Sequence, residues 1–76
     1  MSYLVRQQKQ FHTHEQSTPA IEWVINHDLD RYPIVNVYSV VNGVEIMVNA
    51  TEVQVLNMNS CKLVFGTPIS GFAEIF

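Results

Sequence analysis

From Ala20 onward, apolar residues recur at every second position. Ile21, Trp23 and Ile25 fall on one face, with Glu22 and Asn26 on the other. Val35 and Val37 alternate with Asn36, Val44, Ile46 and Val48 with Glu45 and Asn49, Val53 and Val55 with Glu52 and Gln54, and Leu63 and Phe65 with Lys62. A period of two sends successive side chains to opposite faces of an extended strand and builds no helical stripe. Between these runs stand turn signals. Asn42-Gly43 separates "IVNVYSVV" from "VEIMVN", and both of its residues tolerate the positive φ that a two-residue hairpin turn requires. "NMNS" at 57–60 makes a second turn, "GTPISG" at 66–71 reads as a Gly/Pro loop, and residues 72–76 read as a final strand. The pattern predicts an all-β chain of six to seven short strands, folded as a small antiparallel β-sandwich or open barrel over residues 20–76.

Residues 1–19 differ in kind. "VRQQKQFHTHEQSTP" is polar and glutamine-rich, with isolated aromatics at Tyr3 and Phe11, and Ser17-Thr18-Pro19 interrupts it. We read it as an extended N-terminal arm with one strand near 9–15. Such an arm can lie along a neighbouring subunit and add a strand to an exposed sheet edge.

Composition says what supports so small a fold. A chain of 76 residues makes one domain and buries a modest core. Cys61 is the single cysteine, so no intrachain disulfide forms, and Cys/His ligands at zinc-finger spacing are missing. Charged residues make up 14% of the chain, against about 25% in ordinary soluble domains. A weakly charged, amide-rich surface suits a protein packed against neighbours, in a homo-oligomer or another symmetric assembly. The net charge is −3, and Arg6, Lys9, Arg31 and Lys62 are scattered, so no basic stripe for nucleic acid exists. No apolar run approaches the ~20 residues that span a bilayer, and the N-terminus lacks the pattern of a signal peptide, so no membrane partner is expected.

A wider motif runs through this alternation. Trp23-x-Ile25-x-His27-x-Leu29, then Pro33-x-Val35-x-Val37, then Gly43, then a strand closed by Phe65, then Pro68-x-Ser70-Gly71-x-Ala73-x-Ile75 resembles a small β-domain of tailed-bacteriophage virion proteins. In that family the loop after the His commonly reads Asn-Leu-Gly; here it reads Asp28-Leu29-Asp30, and Asp tolerates left-handed backbone better than most residues. The resemblance covers residues 20–76 and leaves the arm outside. It implies assembly with other virion proteins and no chemistry: a structural protein of the tail, baseplate or fibre apparatus, assembled in the host cytoplasm and located in the virion. A capsid decoration protein is the alternative within that class. A receptor- or carbohydrate-binding module is the alternative outside it, with Tyr32 and Tyr38 as its candidate aromatics.

Three groups of residues invite a chemical reading. His27, Asp28, Leu29, Asp30 and Pro33 lie between two strands. The structural expectation is that the His27 ring bonds loop backbone, Leu29 packs under the sheet and the aspartates cap turn N–H groups. A metal there would need more carboxylates than the loop offers. His12 and His14 would share a face of a strand. Two ligands are too few alone, though three copies around an axis would present six imidazoles; water-facing histidines are the expected state. Cys61 is expected to be a buried apolar residue, since nothing in the sequence places a base beside it. Trp23 is expected in the core against Phe65 or Phe72. Gly66 and Gly71 precede no helix and so make no phosphate loop. No enzyme and no cofactor are expected.

Overall fold

The computed structural model describes residues 10–76; Tyr3 and the rest of residues 1–9 lie outside them. The described residues form five strands and no helix, so none of them makes a helix long and apolar enough to cross a membrane. The strands are β1 (His12–Asn26), β2 (Val35–Val41), β3 (Val44–Val48), β4 (Glu52–Asn57) and β5 (Ser60–Ile75). All pair antiparallel in one sheet of order β1-β5-β2-β3, with β4 also on β5.

The alternation suggested six to seven strands, and five are present. The difference lies at two expected breaks that do not reverse the chain. Ser17-Thr18-Pro19 falls inside β1, and 66–71 falls inside β5. Pro19 is tolerated in β1 because β1 is an edge strand, where a missing N–H costs no ladder bond. Between Gln16 and Glu22 the pairing of β1 with β5 slips register. The slip moves the inward positions from even numbers at His12 and His14 to odd numbers at Trp23 and Ile25. One long strand thus serves the same face at both ends.

β5 is the common partner. Its first part pairs with β1 on one side and β4 on the other, through Trp23↔Leu63 and Val53↔Leu63. Its last part pairs with β1 and β2, through His14↔Ala73 and Val37↔Ala73. The core gathers on one face of this strand: Trp23, Ile25, Leu29, Val37, Cys61, Leu63, Phe65, Ala73 and Ile75, with His27 the one buried polar residue among those described. Burial of each large side chain contributes about 1.5–3 kcal/mol. Trp23 is the hub. Its ring packs on Phe65 at 4.9 Å between centroids, and His14 covers it at 5.7 Å. Its indole N–H donates to the Ile69 carbonyl at 3.3 Å, which satisfies the one polar atom of the ring. Phe72 stacks on Tyr38 instead.

The body is elongated, 54 × 27 × 18 Å, with a radius of gyration of 14.3 Å. A compact chain of this length has about 11 Å. A thin, long sheet covers little of its own apolar surface.

Candidate functional site

The 27–34 loop is ordered from the residue level. Burial alternates from Trp23 through Asp30 without regard to the end of β1: Trp23, Ile25, His27 and Leu29 are buried, and the residues between them are exposed. His27 and Leu29 therefore extend the strand's inward row beyond its last ladder bond. The Leu29 N–H donates to His27 Nδ1 at 3.1 Å, which makes that nitrogen an acceptor. Asp28 and Asp30 both have left-handed backbone, with φ of 56° and 54°. Aspartate tolerates this region better than most residues.

The loop docks on the turn between β4 and β5. The Asn59 carbonyl accepts the N–H of His27 at 2.9 Å and of Asp28 at 3.2 Å. The Asn59 side-chain oxygen accepts the Asp30 N–H at 2.8 Å, and the Met58 carbonyl accepts the Arg31 N–H at 2.9 Å. Asn59 is itself held by its N–H, which donates to Asn57 Oδ1 at 2.8 Å. The Arg31 guanidinium reaches back to the Gln10 carbonyl at 2.6 Å. Asn59 caps Asp30's own N–H, and left-handed backbone is what the two aspartates supply. The turn at 57–60 is legible in the sequence, whereas its reception of this loop is not. Contact between residues some thirty positions apart leaves no local signal.

This arrangement separates the residues a metal would need together. His27 is fully buried on the core side, while Asp28 and Asp30 are exposed on the other. Among the described residues, no three His, Cys, Asp or Glu side chains group as metal ligands. His12 and His14 share the inward face, opposite Ile75 and Ala73. His14 Nε2 donates to Gln16 Oε1 at 2.8 Å, and Gln16 in turn donates to the Thr18 carbonyl at 2.9 Å. The ring thus lies over Trp23, half-buried. Cys61 is fully buried between Ile25 and Val55 in register, and burial pushes its thiol pKa up, away from the reactive thiolate. Tyr38 is engaged with Phe72, whereas Tyr32 stands 72% exposed. Phe11 packs its ring near Phe76 at 6.2 Å. Pro33 is half-buried at the loop's end.

The more unusual surface lies on β3 and β4. Directly opposed residues of an antiparallel pair point to the same face. Val37↔Val48, Ser39↔Ile46 and Val41↔Val44 therefore place Val41, Val44 and Ile46 on the face where Val37 is buried. Val53 and Val55 likewise share a face with Leu63 and Cys61. All five are 43–59% exposed. The core face runs on past the edge of its cover. The other side of the hairpin is apolar too, with Val40 and Met47 exposed. Among the described residues, fourteen large apolar side chains are exposed, against nine buried apolar residues. Residues 34–50 carry one charge, Glu45.

No protein-family model, curated protein or solved structure matches this chain.

Proposed function

We propose that the protein is a virion structural protein of a tailed bacteriophage that works by protein–protein contacts, in the tail, baseplate or fibre apparatus. It acts without catalysis and without a cofactor, and it resides in the virion. The family resemblance of residues 20–76 motivates the virion assignment. The observation that carries the assembly role is the apolar face left uncovered on β3 and β4. An apolar patch such as that of Val41, Val44 and Ile46, contiguous across β2 and β3, marks an interaction site. We read the sheet as part of a small sandwich or open barrel whose second layer is partly supplied by its partners. A decoration protein of the capsid would use the same surface.

The test is incorporation. Particles purified from the source should contain the chain at a fixed copy number, and Val44→Glu with Val53→Glu should fold yet fail to enter them. A chain found wholly outside particles would overturn the reading. A receptor- or glycan-binding module is the second reading, favoured by the exposed Tyr32 on the 27–34 loop. Host glycans that quench its tyrosine fluorescence, with loss of the effect in Tyr32→Ala, would support it.

A further inference from the structure

Among the described residues, β3 is the edge of this sheet with the fewest devices to protect it. β1 carries Pro19 and two register shifts, and β4 carries a register shift between Val55 and Asn57. Such irregularities blunt an edge against further pairing. β3 pairs with β2 without a shift along all five residues, holds no Lys or Pro, and has no second ladder partner among the described residues. Asn42 and Gly43, with φ of 52° and 77°, close a two-residue turn. Its flanking pair, Val41↔Val44, is then a hydrogen-bonded pair, as are Ser39↔Ile46 and Val37↔Val48. By alternation, Glu45 and Met47 turn their N–H and C=O groups to the open edge.

We propose that this edge pairs with β3 of a second copy of the chain, antiparallel, about a twofold axis at Ile46. The inference rests on the assembly reading above and names its partner. An antiparallel strand paired with itself is self-complementary, as a twofold contact requires. The open groups on Glu45 and Met47 restrict the register. Pairing Glu45 with Met47 of the copy uses all of them, sets Ile46 opposite Ile46 and Val44 opposite Val48, and spans the whole strand. Shifting by one pair toward the turn puts Glu45 opposite Glu45, which like-charge repulsion disfavours. Shifting the other way leaves Val44 beyond the strand end. In the proposed register the row of exposed Val44 and Ile46 and half-buried Val48 meets its own copy, and two core faces join into one. The second copy fits where a chain with an ordinary charged edge would not, because Glu45 is the only charge on β3.

The geometry gives a cross-linking test. Ile46 facing Ile46 is a non-hydrogen-bonded pair, with Cα atoms about 4.5 Å apart, within the range of a disulfide. Full-length Ile46→Cys should oxidise to a disulfide-linked dimer, doubling its mass on a non-reducing gel. Glu45→Cys should not, because its symmetry mate lies beyond ~7 Å. The wild type, with Cys61 buried, is the background. Met47→Pro removes a donor from the open edge without touching the β2 ladder. It should return the native mass by light scattering to that of one chain while circular dichroism keeps the sheet signal. A folded Ile46→Cys chain that cross-links no better than Glu45→Cys overturns the pairing. So does a wild type that stays monomeric, and a heterologous partner must then cover β3 if the assembly reading is to stand. An Ile46→Cys dimer of a protein absent from particles would do the reverse: it keeps the pairing and overturns the virion role.

Discussion

Gly71 stands where β5 passes directly against the backbone of β2. Its φ is +151°, and a Cβ there would overlap the Tyr38 carbonyl oxygen and come within 2.9 Å of Ser39 Cα. Backbone stands in the way, so Gly71→Ala must force the strands apart beside the Tyr38↔Phe72 pair. The expected cost is about 3 kcal/mol, read as a lower urea midpoint; an unchanged midpoint would show that the crossing relaxes freely. His27 makes a different demand. Its Nδ1 satisfies the buried Leu29 N–H, so His27→Ala loses an acceptor and leaves a cavity, together about 2–4 kcal/mol. His27→Asn keeps an oxygen able to take that N–H and should recover part of the loss. Equal destabilisation by the two variants would refute the acceptor role. Cys61 contributes through pH. Burial raises its thiol pKa, so the folded chain holds that proton more tightly than the unfolded chain. Its contribution is whole below the unfolded value of about 8.5 and is lost as pH climbs from there through the raised folded value. Wild type should therefore lose more stability than Cys61→Ala as pH rises above the unfolded value, and parallel losses would remove this assignment.

At the scale of elements, β1 shows how far a local reading reaches. Residues 10–19 look like an arm by composition, yet His12, Thr13, His14 and Glu15 pair with Ile75, Glu74, Ala73 and Phe72. Deleting residues 1–15 removes those pairs, uncovers Ala73 and Ile75, and strips His14 from Trp23. We expect Tm to fall by roughly 10 °C or more relative to a chain lacking only residues 1–9. Matching melting curves would mean that half of β1 is dispensable. Strand positions, the Asn42-Gly43 turn and the burial of Trp23 were legible because alternation and turn chemistry are local; which of Phe65 and Phe72 packs on Trp23 was not. The structural role of His27 was legible for the same reason. Continuity through 17–19 and 66–71 was not, because Pro and Gly announce a break without saying whether the chain reverses. Nor was the exposure of Val44, Ile46, Val53 and Val55. Their alternation is that of an inward row, and whether a row is covered depends on what lies opposite it in space.

Taken whole, the molecule is a long thin sheet whose inner face extends beyond its core. If neighbours complete that face, folding and association are linked, and the unfolding midpoint should rise with protein concentration. A midpoint constant over a hundredfold dilution would argue for a self-sufficient monomer. The place of β5 in the ladder also governs timing. β1, β2 and β4 all pair with it, so none of those pairs can form until residues 60–75 have been made. The β2–β3 hairpin alone is exempt, since its strands meet across two residues and hairpins close in about 1–10 μs. During synthesis the sticky edge of this protein exists before its core does. If β3 pairs with a second copy as proposed, nascent chains on neighbouring ribosomes meet through it first, and crowding during translation, rather than the abundance of finished protein, becomes the condition that sets how many copies pair.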